Sequence, residues 1–490
     1  MKTFFAVCLL MTSAFATDTK PDRTLELARI LAQKGTISAI ELARIESATD
    51  KLDVLAQLLR DKGVLSADDY VRVSDKSGAN KTTSQISASQ TSAPPIPSTA
   101  SPNTAAPTGE ATSGFPLQVY GTVLLNALYN TALSNIEDIP LFVGKQGSDP
   151  SGNDKNFAMT ARQSRLGFRF RSTEVAGAKL SGQVEIDFLG GKAAFGNGID
   201  MDLPRLRLAL GRLDWQPWSF EAGQDWAIFA PLNPTSLAEY AIPTFSASGN
   251  PWIRLPQIRG EYHHALGDKT TILTQFAAVD PNMGDFPTTQ FTSGRSPLIG
   301  ERGRGPGLET RLNLSTKVAD RQYSVGISTH YARGKNFGMV NDAPVFRPVD
   351  SWGVALDYTL PLTKVLNLTG EVFEGRALGI FSVASGEAIL PVETAGEHGV
   401  ETRGGWIQSQ FNFTPRWQLN VAYGLEAPNL SNLRTGDRSK NQTYMANVMY
   451  KPSKNVTFAW EYRRFLTNFK NQPLLNAEGD HANIAVAYSF

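Results

Sequence analysis

The last residues of the chain decide how the rest is read. Ile484-Ala485-Val486-Ala487-Tyr488-Ser489-Phe490 alternates large apolar side chains with small ones, residue by residue. A period of two belongs to a strand with two different faces. The pattern recurs upstream: Arg165, Gly167, Arg169 and Arg171 alternate with Leu166, Phe168 and Phe170, and Arg205 and Arg207 alternate with Leu206, Leu208 and Leu210. In a soluble sandwich the polar parity would meet bulk water. Here it carries rows of arginine on long segments, which suits a wet interior with the apolar parity turned to lipid.

Sixteen such segments can be placed, near 116–130, 156–173, 178–190, 204–214, 217–228, 252–264, 270–280, 306–319, 321–335, 350–361, 365–378, 401–414, 417–427, 439–452, 454–468 and 479–490. Short turns alternate with long polar loops at about 131–155, 191–203, 229–251, 281–305, 336–349, 379–400, 428–438 and 469–478. The expected fold over 115–490 is therefore an all-β transmembrane barrel of about 16 antiparallel strands, with 14 or 18 also compatible. Closure is what lets a sheet satisfy its backbone in lipid. Tyr120, Tyr129, Trp215, Trp218, Trp226, Tyr450, Trp460, Tyr462 and Tyr488 are expected in interfacial girdles.

Ahead of the barrel three regions differ in character. Lys2, the apolar run Phe4 to Met11 and the Ala14-Phe15-Ala16 site read as a signal peptide over 1–16, which predicts export. Residues 17–73 read as helical, preceding the barrel on the periplasmic side. Leu27 to Ser38 repeats at Leu55 to Ser66, each copy ending at Lys-Gly (Lys34-Gly35, Lys62-Gly63). Ser38 and Ser66 are expected to cap the following helices, with Glu41 and Asp69 three residues on. The unit suits either a small solvated bundle or an oligomerisation module. Residues 74–114, rich in Ser, Thr, Ala and Pro, read as a linker.

Composition removes several function classes. Of 490 residues, 47 are Lys or Arg and 46 are Asp or Glu, a net charge of +1 that offers no field for nucleic acid. Hydrophobic residues make up 41%, and the mean hydropathy is −0.22. Cys8, inside the signal segment, is the single cysteine, so neither disulfides nor a cysteine metal site are expected. His263, His264, His330, His398 and His481 are too scattered for a metal centre, and no cofactor is expected. After residue 16 no apolar run approaches the length of a spanning helix. His263 shares a parity with Glu261, but one such pair does not make a hydrolase, and the sequence predicts no enzyme. The Gly300-Glu301-Arg302-Gly303-Arg304-Gly305 stretch lacks the strand-to-helix setting of a nucleotide cradle.

The informative chemistry lies on the lumen parity. Arg165, Arg169, Arg171, Arg205, Arg207 and Arg259 are expected inside, with Glu185 and Asp187 between the first two arginine rows. Two outcomes are open: a salt-bridge ladder along the wall, or unmatched arginines that guide anions. Loop 229–251 follows the fifth strand and is the candidate constriction, with Glu239, Tyr240 and Phe245 as its candidate lining; a plain surface loop is the alternative.

Ala161-Arg162-Gln163-Ser164-Arg165-Leu166-Gly167-Phe168, Glu185-Ile186-Asp187-Phe188, Gly223-Gln224-Asp225-Trp226 and the terminal Phe490, with the signal peptide, together resemble the DcaP-like trimeric porins within the general porin superfamily. The resemblance implies a homotrimer of sixteen-stranded barrels in the lipid of a Gram-negative outer membrane, passing small anionic solutes such as dicarboxylates. Tyr488 and Phe490 look like the signal read by the barrel-assembly machinery. The N-terminal helical repeat is similar to extensions of phosphate-selective porins. The resulting expectation is a passive diffusion porin. The alternative is an outer-membrane tether whose helical region binds a periplasmic or cell-wall partner.

Overall fold

The structure is a computed structural model that describes residues 23–33, 37–48, 50–61, 117–147, 155–194, 200–285, 296–382, 388–394 and 399–490. The chain divides into two compact units, residues 1–92 and 93–490. The first holds helices α1 (Arg23–Gln33), α2 (Ala39–Glu46) and α3 (Lys51–Asp61). Their amphipathic faces meet in a small core of Ala28, Ile37, Ile45, Leu55 and Leu59. Ser38 caps α2 in a complete capping box: its hydroxyl accepts from the Glu41 amide, and its own amide donates to Glu41 Oε2 at 2.6 Å. The corresponding pair Ser66 and Asp69, and both Lys-Gly ends, lie outside the described residues.

The second unit opens with β1 (Leu117–Asn130), β2 (Asn156–Thr160), β3 (Arg165–Val175) and β4 (Ala178–Asp187). A small hairpin, β5 (Lys192–Ala194) and β6 (Asp200–Asp202), precedes β7 (Arg205–Asp214) and β8 (Trp218–Trp226). Next come β9 (Arg254–Ala265), β10 (Thr270–Val279), β11 (Gly307–Val318), β12 (Arg321–Val340), β13 (Ala343–Leu360) and β14 (Leu366–Arg376). The series ends with β15 (Glu401–Asn412), β16 (Trp417–Pro428), β17 (Arg438–Tyr450), β18 (Val456–Phe469) and β19 (Ala477–Ser489). Every neighbour is antiparallel, and β19 pairs back onto β1 from Thr122–Ser489 to Asn130–His481, which closes the barrel. Because β2 and β3 both pair with β1 and are halves of one strand broken at 161–164, the wall has 16 strands, the count expected.

The alternation that suggested a barrel is visible in exposure. Along β19, Ala485 and Ala487 are buried inside, whereas Ile484, Val486 and Tyr488 stand outside with Val123, Leu125, Trp460 and Tyr462 of the neighbouring strands. The terminal Phe490 continues the ladder: its amide and carbonyl exchange hydrogen bonds with Gly121, and its ring lies near Tyr488. Only a Cβ-less residue leaves room for that ring at 121.

Three local readings change. The stretch 336–349, read as a loop, is instead the top of a long β12–β13 hairpin that turns at Asn341-Asp342, both with positive φ. That pair is the residue type a two-residue hairpin turn demands. Tyr120, placed in a girdle, faces inward and donates to Glu185 Oε2 at 3.0 Å. Trp226 likewise packs inside, against Trp252.

Candidate functional site

The loop between β8 and β9, residues 227–253, folds into the barrel and follows its inner wall. An irregular segment has no ladder of its own, so its amides need acceptors from elsewhere. Wall side chains supply them. Glu309 accepts from the Ile228 and Phe229 amides, Ser328 from Ala230, Glu371 from Leu232 and Gln408 from Thr235. Further round, Glu461 accepts from the Ser236 hydroxyl and Asn126 donates to the Leu237 carbonyl. Gln163 sits in the break between β2 and β3, where it accepts from the amides of Tyr240 and Ala241 and donates to the Ala238 carbonyl. The interruption in that strand is thus what aims Gln163 at the loop.

The second half of the loop docks on β15, β16 and β17. Phe245 is buried against Trp406, Ala422 and Met445. Gly424 lets it lie flat there, because an added Cβ would come within 2.7 Å of the Phe245 ring and closer still to the Ser248 carbonyl. Glu239 is buried too, paired with Arg463, which also reaches Glu461 at 3.1 Å. Burial pushes the Glu239 carboxyl up to about 7, with Arg463 opposing the shift and Glu461 adding to it. Of the three candidate lining residues, Tyr240 alone stays half-exposed; Glu239 and Phe245 are anchors.

Charge on the adjoining wall is arranged in two groups. In the first, Arg205 binds Asp187 at 2.6 Å, and Arg207 bridges Glu185 at 2.7 Å and Asp187 at 2.9 Å. Both arginines also donate to the Ala241 carbonyl of the loop. Arg165 stacks on Tyr240, its guanidinium 3.5 Å from the ring centroid, and donates to the Tyr240 carbonyl. Arg254 is buried between Trp226 and Trp252, 4.6 and 5.1 Å from their rings, with Nη1 unbonded. Four arginines, Arg165, Arg205, Arg207 and Arg254, face two carboxylates, Glu185 and Asp187, which leaves two cations in excess.

The second group reverses the balance. Arg259 is held by Glu221 at 2.7 Å, Asp225 at 3.0 Å and Glu261 at 3.0 Å. Arg212 binds Glu261 at 2.6 Å, Asp214 at 2.9 Å and Glu221 at 3.4 Å. Two arginines here face four carboxylates, so Arg259 is a strut among acids and does not extend the cationic wall. Glu261 lies 3.7 Å from His263 but is already engaged by Arg212, Arg259 and Gln275. Arg169 stacks on Tyr120 at 4.0 Å, and Arg171 is exposed. The wall thus carries a ladder at Arg205 and Arg207, with Arg165 and Arg254 held beside it on aromatic rings.

Sequence reading missed Arg212, Arg254 and Arg463. Arg463 follows the alternation of β18 and was open to a parity count. Arg254 opens a strand after the loop, where no alternation precedes it. Arg212 is hidden by a bulge: Glu185 pairs Leu208 while Ile186 pairs Leu206, so the extra residue flips the parity of β7 beyond Arg207.

No family model matches the sequence, and no curated protein matches it. Among solved structures, the outer membrane channel DcaP of Acinetobacter baumannii superposes with a TM-score of 0.57 at 19% identity, over 78% of this chain and 99% of that one. The anion-selective porin from Comamonas acidovorans gives 0.45 at 12% identity, over 77% of this chain and 100% of that one. Pseudomonas putida OprB gives 0.47 at 10% identity, over 76% and 94%. The resemblance read from the sequence thus holds at the level of fold, a closed antiparallel barrel shared with the DcaP channel.

Proposed function

We propose that this chain is a passive diffusion porin of the bacterial outer membrane that favours small anions, dicarboxylates among them. The observation that carries the reading is the constriction itself: a loop pinned round the interior, beside a wall where four arginines meet two carboxylates. The loop adds no free charge, since Glu239 is consumed by Arg463. Selectivity then falls to the wall, where uncompensated guanidinium groups lower the barrier for an anion shedding part of its hydration. Arg165 beside Tyr240 is the cation nearest the half-exposed part of the loop, and Arg169 and Arg171 continue the row towards the short-turn rim. Residues 1–16 act as the export signal, residues 23–61 belong to a periplasmic region, and the working form is a homotrimer. Tyr488 and Phe490 form the terminal signal for barrel assembly.

Planar-bilayer recording of the purified protein under a salt gradient tests this. Threefold conductance steps and an anion-selective reversal potential are expected, and Arg165→Ala with Arg169→Ala should move that potential towards zero. A cation-selective wild type would overturn the anion reading, and no conductance would overturn the porin.

A further inference from the structure

The rim of short turns is uneven in charge. Turns β3–β4, β7–β8, β9–β10 and β11–β12 each have a carboxylate at or beside them: Glu174, Asp214, Asp268 and Asp320. The three that follow, at 361–365, 413–416 and 451–455, carry Lys364, Arg416, Lys451 and Lys454 with no acid. Lys364, Arg416 and Lys451 line one open groove of about 520 Å³, together with Phe413 and Trp417. None of these three cations is held in an ion pair among the described residues. The turns are tied to one another through the backbone: the Asn412 amide donates to the Val365 carbonyl, and the Lys451 amide to the Arg416 carbonyl. Within them, the Thr363 hydroxyl accepts from the Val365 and Leu366 amides, and that of Thr414 from the Arg416 and Trp417 amides. The cations are thus carried on a fixed backbone.

We infer that this groove binds a phospholipid with two linked phosphates, diphosphatidylglycerol, from the leaflet that faces the periplasm. Position argues for a lipid. Trp417 shares the outward parity of β16 with Val421, and Trp417 and Phe413 are 44% and 58% exposed. Trp417 stacks on Tyr450 at 4.5 Å, an aromatic pair of the kind that marks the edge of the hydrocarbon layer. Lys364, Arg416 and Lys451 lie in the turns just beyond, on the side where short turns meet the periplasm. A basic pocket at that depth suits an anionic headgroup. Number argues for two phosphates. Neighbouring strands are about 4.8 Å apart, so successive turns, two strands on, stand about 10 Å apart. A single phosphate cannot span three such turns, whereas two phosphates joined through glycerol can meet all three cations. A permeating anion is disfavoured because the rings of the groove point away from the lumen. A second copy is disfavoured because it would set like charges face to face. The inference rests on the outer-membrane porin reading above.

Full-length protein reconstituted in phosphatidylethanolamine vesicles that contain phosphatidylglycerol and diphosphatidylglycerol in equal amounts provides the test. Lipid that stays bound through mild-detergent extraction is counted by mass spectrometry, and single-channel conductance of the same sample reports the porin reading separately. Diphosphatidylglycerol should be retained well above phosphatidylglycerol. Arg416→Gln should lower its retention roughly fivefold, and Arg416→Gln with Lys451→Gln roughly 25-fold, the scale expected for one and two cations at an anionic layer. Lys451→Arg should preserve retention, and Lys269→Gln, on the β9–β10 turn, should leave it unchanged. Conductance should be the same in every variant, which shows that each has folded. Equal retention of the two lipids, or retention that survives the double variant, would overturn the inference. Release of the bound lipid by inorganic phosphate alone would also overturn it, by assigning the groove to a soluble anion.

Discussion

Arg463 is one cation set between two buried carboxylates, Glu239 of the loop and Glu461 of its own strand. Removing it leaves acid charge without a partner in a site closed to water. Arg463→Met is expected to cost about 3–5 kcal/mol, read as a lower temperature at which the folded barrel loses its compact electrophoretic mobility. Adding Glu239→Gln and Glu461→Gln to that variant should restore most of the loss, since the isolated charges go with the arginine. At this scale the sequence was legible where alternation was unbroken. Arg165 and Arg205 lie inside with Glu185 and Asp187 because each follows the alternation of its strand, and Arg207 joins them as the extra residue of the β7 bulge. Tyr120 was misread because an aromatic near a strand end suits either face, and only its bond to Glu185 decides between them.

The loop of residues 227–253 shows how little of an element can be read from its own letters. Its prolines and small residues fit a surface loop equally well, and what draws it inward is the row of acceptors on strands far away in sequence. Gly424 is the sensitive point of that docking. Gly424→Val would push a side chain into Phe245 and the Ser248 carbonyl, so the loop should leave the wall. A larger single-channel step with more variable open levels is the expected result, and an unchanged step would show that the loop tolerates the intrusion. The β12–β13 hairpin was hidden for a related reason. Its inward positions include Gly334, Asn336 and Gly338, and its outward ones mix Arg, Lys and Phe, so the apolar face that normally marks a strand is missing.

Across the whole molecule, strand number and closure were legible because lipid imposes one rule on every strand: apolar outside, small or polar inside. Nothing comparable constrains the segments before residue 117. Deleting residues 17–114 is expected to leave the conductance step and reversal potential of the reconstituted barrel unchanged. Loss of conductance, or envelope leakage in cells despite normal conductance, would shift weight to the tether reading.

The distances in sequence over which the loop is held also fix when it can settle. Asn126, in the first strand, and Glu461, in the last but one, grip neighbouring residues of it. Neither grip is in place until the two ends of the sheet have met, so narrowing comes after closure, as the slowest pairing of the longest-range partners. A half-assembled barrel would be an unthrottled hole. The leak that a cell tolerates during biogenesis therefore sets a limit on how slowly this protein can finish folding, and permeability itself becomes a measure of completed assembly.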